Sequence, residues 1–190
     1  MDMEYLRPLI EAAEAVLAEK GRAVIAVDGM AAAGKTTAAA FLSDLWGAPV
    51  VHMDDFFLPL PLRTPERLSE PGGNVHYERF AREVLPGLTA GEAFSYRLFR
   101  CSVMDFDGEA RIAAAPVVIV EGAYAMHPRF GDYADVTAFF SVPPEEQERR
   151  ILARNGPEKW SDFRSRWIPM ENAYHAAFDT RARADIVFEQ

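Results

Sequence analysis

The segment Gly29-Met30-Ala31-Ala32-Ala33-Gly34-Lys35-Thr36 fits the pattern G-x-x-x-x-G-K-[ST]. Small residues let backbone N–H groups turn inward around an anion, and a helix start just beyond them adds its positive end. Lys35 then reaches the outer phosphates of a nucleotide, and the Thr36 hydroxyl is offered to Mg²⁺. Gly29, Ala31, Ala32, Ala33, Gly34, Lys35, Thr36 and Thr37 are therefore the expected cradle for a nucleoside triphosphate. A chance glycine–lysine turn capping a helix is the plainer reading. The context speaks against it, because an apolar run, Ala23 to Asp28, precedes the motif and a helix-forming run follows.

Three acidic residues and a set of arginines extend the site. "VHMDDFF" places Asp54 and Asp55, and "VIVEG" places Glu121, at the ends of apolar runs. In an open α/β sheet the C-terminal ends of strands are where ligands bind. A carboxylate there either supports the Mg²⁺ shell, with Thr36, Asp54 and Glu121 as the candidate set, or accepts the proton of an attacking hydroxyl. The plainer reading is an aspartate that caps the turn after its strand. Arg149, Arg150 and Arg154 fall on one charged helical run, with Arg150 and Arg154 four apart and so on one face. Arginines that close over a transferring phosphoryl group supply the charge stabilisation the reaction needs. The alternative is a solvated face paired to Glu145, Glu146 and Glu148. Arg164 and Arg166 are further, weaker candidates.

These residues need a scaffold. Ala23–Asp28, "PVVHMDD", "PVVIVEG", "DVTAFFSV" and "ADIVFEQ" read as five short buried strands separated by helical segments. That alternation predicts a three-layer α/β fold with a largely parallel sheet. A helix is expected from Lys35 to about Gly47, another from a capping Asn74 through Tyr77, Phe80, Val84 and Leu88, and a charged one from Pro143-Pro144. "FFLPLPLRTPERLSEPGG", with its prolines and glycines, reads as a long surface loop. "AFSYRLFRCSVMDFDGEARI" reads as a hairpin turning at Asp107-Gly108. A further helix is expected over "RWIPMENAYHAAFDTRAR", with Pro169 early in it.

Composition narrows the class. The 190 residues fit one domain, and 49% are apolar without any run of the length a membrane span needs. The first residues place Leu6, Ile10, Ala13 and Leu17 at helical spacing, so about 3–20 reads as an amphipathic helix and not a signal peptide. It either packs on the core or mediates self-association into a homo-oligomer. Twenty basic against 29 acidic residues give a charge of −9, which disfavours nucleic acid and anionic membranes as partners. The single cysteine, Cys101, fits a reducing cytoplasm. Four scattered histidines show no metal-ligand spacing. No N-K-x-D guanine-reading motif is present, which counts against a GTPase.

Taken in order, "DGMAAAGKTT", "HMDDFF", "VIVEG", "RRILARN" and "RWIPMENAY" resemble the uridine kinase, nicotinamide riboside kinase and phosphoribulokinase group of P-loop kinases. The resemblance covers most of residues 22–190. It implies one P-loop kinase domain over 1–190, a five-stranded parallel core in the order 2-3-1-4-5, and an arginine-bearing lid over about 149–167. It further implies transfer of a phosphoryl group from Mg·ATP to an alcohol hydroxyl. On that basis Asp54 becomes the base, Lys35, Arg150 and Arg154 stabilise charge, and Glu121 supports the metal or orients the acceptor. Asp55, Tyr77, Arg79, Tyr96 and Arg97 become candidate acceptor contacts. Helix-face or hairpin packing is the plainer role for the aromatic ones among them. The implied acceptor is a small molecule with a free hydroxyl, first a nucleoside or other riboside. The alternatives are a sugar phosphate or pantothenate-like alcohol, or a regulatory ATPase with no acceptor at all.

Overall fold

The computed structural model describes residues 3–190. In chain order the strands are β1 (Ala23–Gly29), β2 (Val50–His52), β3 (Phe94–Arg100), β4 (Asp105–Ile112), β5 (Val117–Glu121), β6 (Val136–Ser141) and β7 (Ile186–Glu189). Five of them form one parallel sheet in the order β2-β5-β1-β6-β7, and β3 and β4 pair as an antiparallel hairpin. The hairpin takes two numbers, so the labels differ from the expected 2-3-1-4-5. Counted on the parallel strands alone, the order coincides with it.

The central strands are continuous apolar runs because the sheet is covered on both faces. Successive side chains point to opposite faces. Ile25, Val27 and Ile119 pack with Leu42 and Phe140, whereas Val24, Val118 and Val120 pack with Phe80 and Tyr124. The helices are α1 (Arg7–Lys20), α2 (Lys35–Trp46), α3 (Pro65–Ser69), α4 (Tyr77–Glu83), α5 (Leu85–Ala90), α6 (Pro144–Asp162), α7 (Ile168–Phe178) and α8 (Thr180–Arg183). The expected N-terminal helix is a 3₁₀ turn, Glu4–Leu6, running into α1. Leu6, Leu9 and Ala13 are buried against the first face, so this segment packs on the core. No helix of the described residues is long and apolar enough to cross a membrane.

Four local expectations need correction. The proline-rich stretch contains a 3₁₀ turn, Leu60–Leu62, and α3, each with proline in its first turn, where a missing N–H costs nothing. The helix expected from Asn74 begins instead at Tyr77 and divides at Val84, with Pro86 opening α5. The hairpin turns at 101–104, where Met104 is left-handed (φ 55°). Arg97 pairs with Glu109 but Phe99 with Phe106, so Asp107-Gly108 faces Leu98 as a bulge inside β4. The last expected helix is cut by left-handed Asp179 (φ 48°) into α7 and α8, and a π-helical stretch, Phe163–Trp167, precedes it.

Candidate active site

The phosphate-binding motif leaves β1 and enters α2. Gly29 has φ 130°, and a Cβ there would lie 2.1 Å from the Phe140 carbonyl oxygen, so only glycine passes β6 at this point. Ala32 is left-handed (φ 58°), a conformation that costs energy outside glycine and clusters at functional sites. Neighbouring elements hold the loop in shape. The Ala31 amide donates to Glu171 Oε2 on α7 (2.8 Å), Gln147 of α6 donates to the Ala31 carbonyl (2.9 Å), and Arg150 donates to the Ala32 carbonyl (3.2 Å). Lys35 Nζ folds over the loop onto the Gly29 and Met30 carbonyls, each at 2.7 Å. The first N–H groups of α2 have no carbonyl ahead of them within the helix, which leaves them to an anion.

Asp28, at the end of β1, is fully buried. Its carboxylate accepts from the amides of Gly29 (2.6 Å), Tyr124 (3.0 Å) and Met126 (2.8 Å) and from the Tyr174 hydroxyl (2.7 Å). One charge thus ties the motif to the loop after β5 and to α7.

A cavity of about 820 Å³ opens in front of the motif. Ala31 to Thr37, Asp54, Glu121, Arg150 and Arg154 all line it. Its size suits a substrate-binding cleft. The Thr36 hydroxyl lies 3.3 and 3.5 Å from the two Glu121 carboxylate oxygens, and His52 Nδ1 lies 2.6 Å from Glu121 Oε1. That contact raises the His52 imidazole above its ordinary value. Asp54 follows β2 in a 3₁₀ turn, Met53–Phe56. Crowding by the cavity wall, then the Glu121 charge, push its carboxyl above the usual aspartate range, with Lys35 opposing, although the side chain itself is exposed to the cavity. A raised base beside a cation has the properties a proton acceptor needs.

The fit to Mg²⁺ follows from the donor set. No group of three or more His, Cys, Asp or Glu side chains among the described residues forms an all-protein metal cage. Mg²⁺ does not require one, since it keeps waters and binds through one or two carboxylates together with substrate phosphates. Thr36, Glu121 and Asp54 on one cavity wall match that pattern.

The other candidates separate. Asp55 is outside the cavity lining; its Oδ2 accepts from the Tyr96 hydroxyl (3.2 Å). Tyr96 is buried against Phe56. Arg79 is fully buried: its guanidinium donates to the Asp55 and Arg97 carbonyls, pairs with Glu83 (3.3 Å) and stacks on Phe56. Burial lowers it to about 10. Arg97 pairs with Glu83 at the surface (3.0 Å), and Tyr77 bonds Glu70 (3.1 Å) and stacks on His127. None of these five residues lines the cavity. Arg149 is an exposed partner of Glu146, which also holds Arg150 (2.6 Å). Part of the arginine face is thus the ion-paired surface that the charge pattern allowed.

Several lining residues carry no signal as site residues in the sequence. Arg63, Asn74, Tyr124 and Glu171 all face the cavity. Tyr124 is left-handed (φ 76°) three residues beyond Glu121, the end of β5, a strained backbone position. Glu171 is 9% exposed, and burial raises its carboxyl to about 7 against the opposing charge of Lys35. The Met-Glu-Asn-Ala-Tyr segment was the available cue, since it places Glu171 and Tyr174 one helical turn apart on the same face.

No family model matches the sequence. Among solved structures, the chain is similar to a possible uridine kinase from Bacillus stearothermophilus, at 19% identity over 98% of this chain and 100% of that one, with a TM-score of 0.69. It is also similar to D-glycerate 3-kinase from Cryptococcus neoformans var. grubii serotype A, at 14% identity over 90% and 89% of the two chains, with a TM-score of 0.62. A third, TT1252 from Thermus thermophilus, has 22% identity over 89% and 88% and a TM-score of 0.53. At these identities the likeness is one of fold.

Proposed function

We propose that residues 1–190 form one kinase domain that transfers the γ-phosphoryl group of ATP to an alcohol hydroxyl of a small molecule. The observation that carries this reading is the single cavity that unites the phosphate-binding loop, Asp54, Glu121 and the arginines of α6. A pure hydrolase has no need of a roomy, polar-and-apolar wall beyond its phosphate site.

In the proposed reaction the acceptor oxygen attacks the γ-phosphorus in line. A new P–O bond forms, the bond to the β,γ-bridging oxygen breaks, ADP leaves, and the hydroxyl proton passes to the Asp54 carboxylate. Lys35 exchanges its two loop carbonyls for phosphate oxygens, and Arg150 and Arg154 stabilise the equatorial charge. Thr36 and Glu121, with Asp54, would hold Mg²⁺, which when bound neutralises charge on the phosphates. The segment 149–167 would act as the lid. Within it α6 is broken at Gly156 (φ 80°, ψ 171°), with Pro157 next, and the π-helical stretch closes it. These two irregularities give the segment places to bend.

Every acceptor expected from sequence presents a hydroxyl: a nucleoside or other riboside, a sugar phosphate, or a pantothenate-like alcohol. Phe57, Arg63, Asn74, Cys101, Met104 and Tyr124 line the space beside Asp54 where it would sit. The net charge of −9 and the lone cysteine suit a cytoplasmic enzyme that binds no nucleic acid. The test is ADP release from Mg·ATP across ribonucleosides, nicotinamide riboside, sugar phosphates and pantothenate, with Lys35→Ala as blank. Acceptor-dependent release supports the kinase. Release that ignores the acceptor makes the protein a regulatory ATPase instead.

A further inference from the structure

We propose that the acceptor is an anionic alcohol, whose reacting hydroxyl sits at Asp54 while a carboxylate or phosphate elsewhere on the same molecule is held by Arg63. The inference rests on the kinase reading above and specifies its substrate class.

The argument begins with the cations of the cavity. Arg150 has Glu146, Lys159 has Asp162, and Lys35 has two carbonyls of its own loop. Arg63 is different. Its Nε donates to the Leu58 carbonyl (2.7 Å), and no carboxylate of the described residues pairs with its guanidinium. It is half-buried in the cavity wall, and burial and the nearby Arg166 both act against its charge. A protein that removes a guanidinium from water and sets it near a second cation, without an acid, leaves a place for an anion from outside.

The surroundings put that place at the acceptor end. Leu58 bonds Arg63 through its carbonyl, and through its amide it donates to the Asn74 carbonyl (3.0 Å). Arg63 and Asn74 are therefore anchored to one residue of the same wall. Cys101, at the hairpin turn, lines the same cavity as Arg63 and Asp54. Asn74, 2% exposed, backs the same wall beside Tyr124. The wall thus holds a guanidinium without an acid in the same cavity as Asp54, complementary to an anion carried by the acceptor.

The experiment compares anionic alcohols with their neutral counterparts: pentose phosphates against free pentoses, and glycerate and pantothenate against glycerol and pantothenyl alcohol. Parent, Arg63→Gln and Arg63→Lys are assayed for ADP release. Separately, with Mg·ADP on the phosphate loop, the alkylation rate of Cys101 by iodoacetamide reports binding without turnover. The expectation is that only anionic members are phosphorylated and slow the alkylation, the phosphates or the carboxylates being the better set. Arg63→Gln should raise their KM at least about tenfold while the KM for ATP moves less than about threefold, and Arg63→Lys should recover part of the loss. Equal kcat/KM for neutral and charged members, or an unchanged KM in Arg63→Gln, overturns the proposal. Protection by anions without ADP release would overturn the kinase reading and leave the anion site standing. Release from neutral alcohols alone would do the reverse, and neither protection nor release by any anion counts against both.

Discussion

Replacing Glu171 with glutamine tests the claim that a buried acid braces the phosphate loop. Glu171 Oε2 takes the Ala31 amide at 2.8 Å, so glutamine, through its carbonyl oxygen, keeps the hydrogen bond and removes only the charge. Around the carboxyl stand Lys35, which favours its ionised form, and Asp28 and Asp54, which oppose it, but burial is the largest influence and sets it at about 7 against an ordinary 4.5. A folded-state value above the unfolded one means that the folded protein binds the proton more tightly. The stabilisation this gives is present in full below the unfolded value and is lost as pH rises through the folded one. The shift corresponds to about 3 kcal/mol, of which about 2–3 kcal/mol falls between pH 5 and pH 8. Urea unfolding of parent and Glu171→Gln at the two pH values isolates this residue, because other titrating groups cancel in the difference. Glutamine should gain about 2–3 kcal/mol relative to the parent on going from pH 5 to pH 8. A difference that does not change with pH would refute the placement of an ionisable, buried Glu171 against the loop.

The two aspartates should separate in turnover. Asp54→Asn is expected to lose at least about 10²-fold in kcat, and Asp55→Asn, which keeps an acceptor for the Tyr96 hydroxyl, much less; the reverse ranking would move the base to Asp55. Because Asp54 is held above the ordinary aspartate range and must be ionised to take a proton, the parent's rate should fall on the acid side at a higher pH than a free aspartate would give. A profile flat down to pH 4 would deny Asp54 that role. Arg79→Leu should cost about 3 kcal/mol or more in denaturant unfolding, since two carbonyls and Glu83 lose their donor. A variant of parental stability with a raised acceptor KM would instead restore Arg79 as a substrate contact. Gly29→Ala forces a Cβ to 2.1 Å from the Phe140 carbonyl, and thermal denaturation should show it as the most damaging single methyl in the loop; a parental melting temperature would mean that β6 gives way at no cost.

What the sequence displays well is whatever lies in one continuous stretch. Gly29 to Thr37 makes a strand, a loop and a helix start in sequence order, and Asp54 and Glu121 each follow their own strand, so their convergence needs only the parallel topology to be inferred. What it hides is whatever depends on two distant segments meeting. Arg79 reads as a polar residue on an amphipathic helix, and it is buried because the carbonyls of Asp55 and Arg97 arrive from either side. Asp107-Gly108 has the composition of a hairpin turn, but the pairing of Phe99 with Phe106 makes it a bulge. Glu171 acts on Ala31 across 140 residues and Tyr174 on Asp28 across 146, separations at which spacing rules are silent.

The same contrast explains why phosphate chemistry was legible and the acceptor was not. A phosphate is held by backbone N–H groups and one lysine, which a short motif can encode. The proposed acceptor space is lined by the proline-rich stretch, the hairpin turn and the loop after β5, and Leu58 joins Asn74 and Arg63 through its amide and carbonyl. Each of those segments has an ordinary structural reason for its composition when read alone. Only their meeting sets Arg63 in the cavity wall without an acid, so that guanidinium, and not any motif, is what the proposed acceptor class is read from.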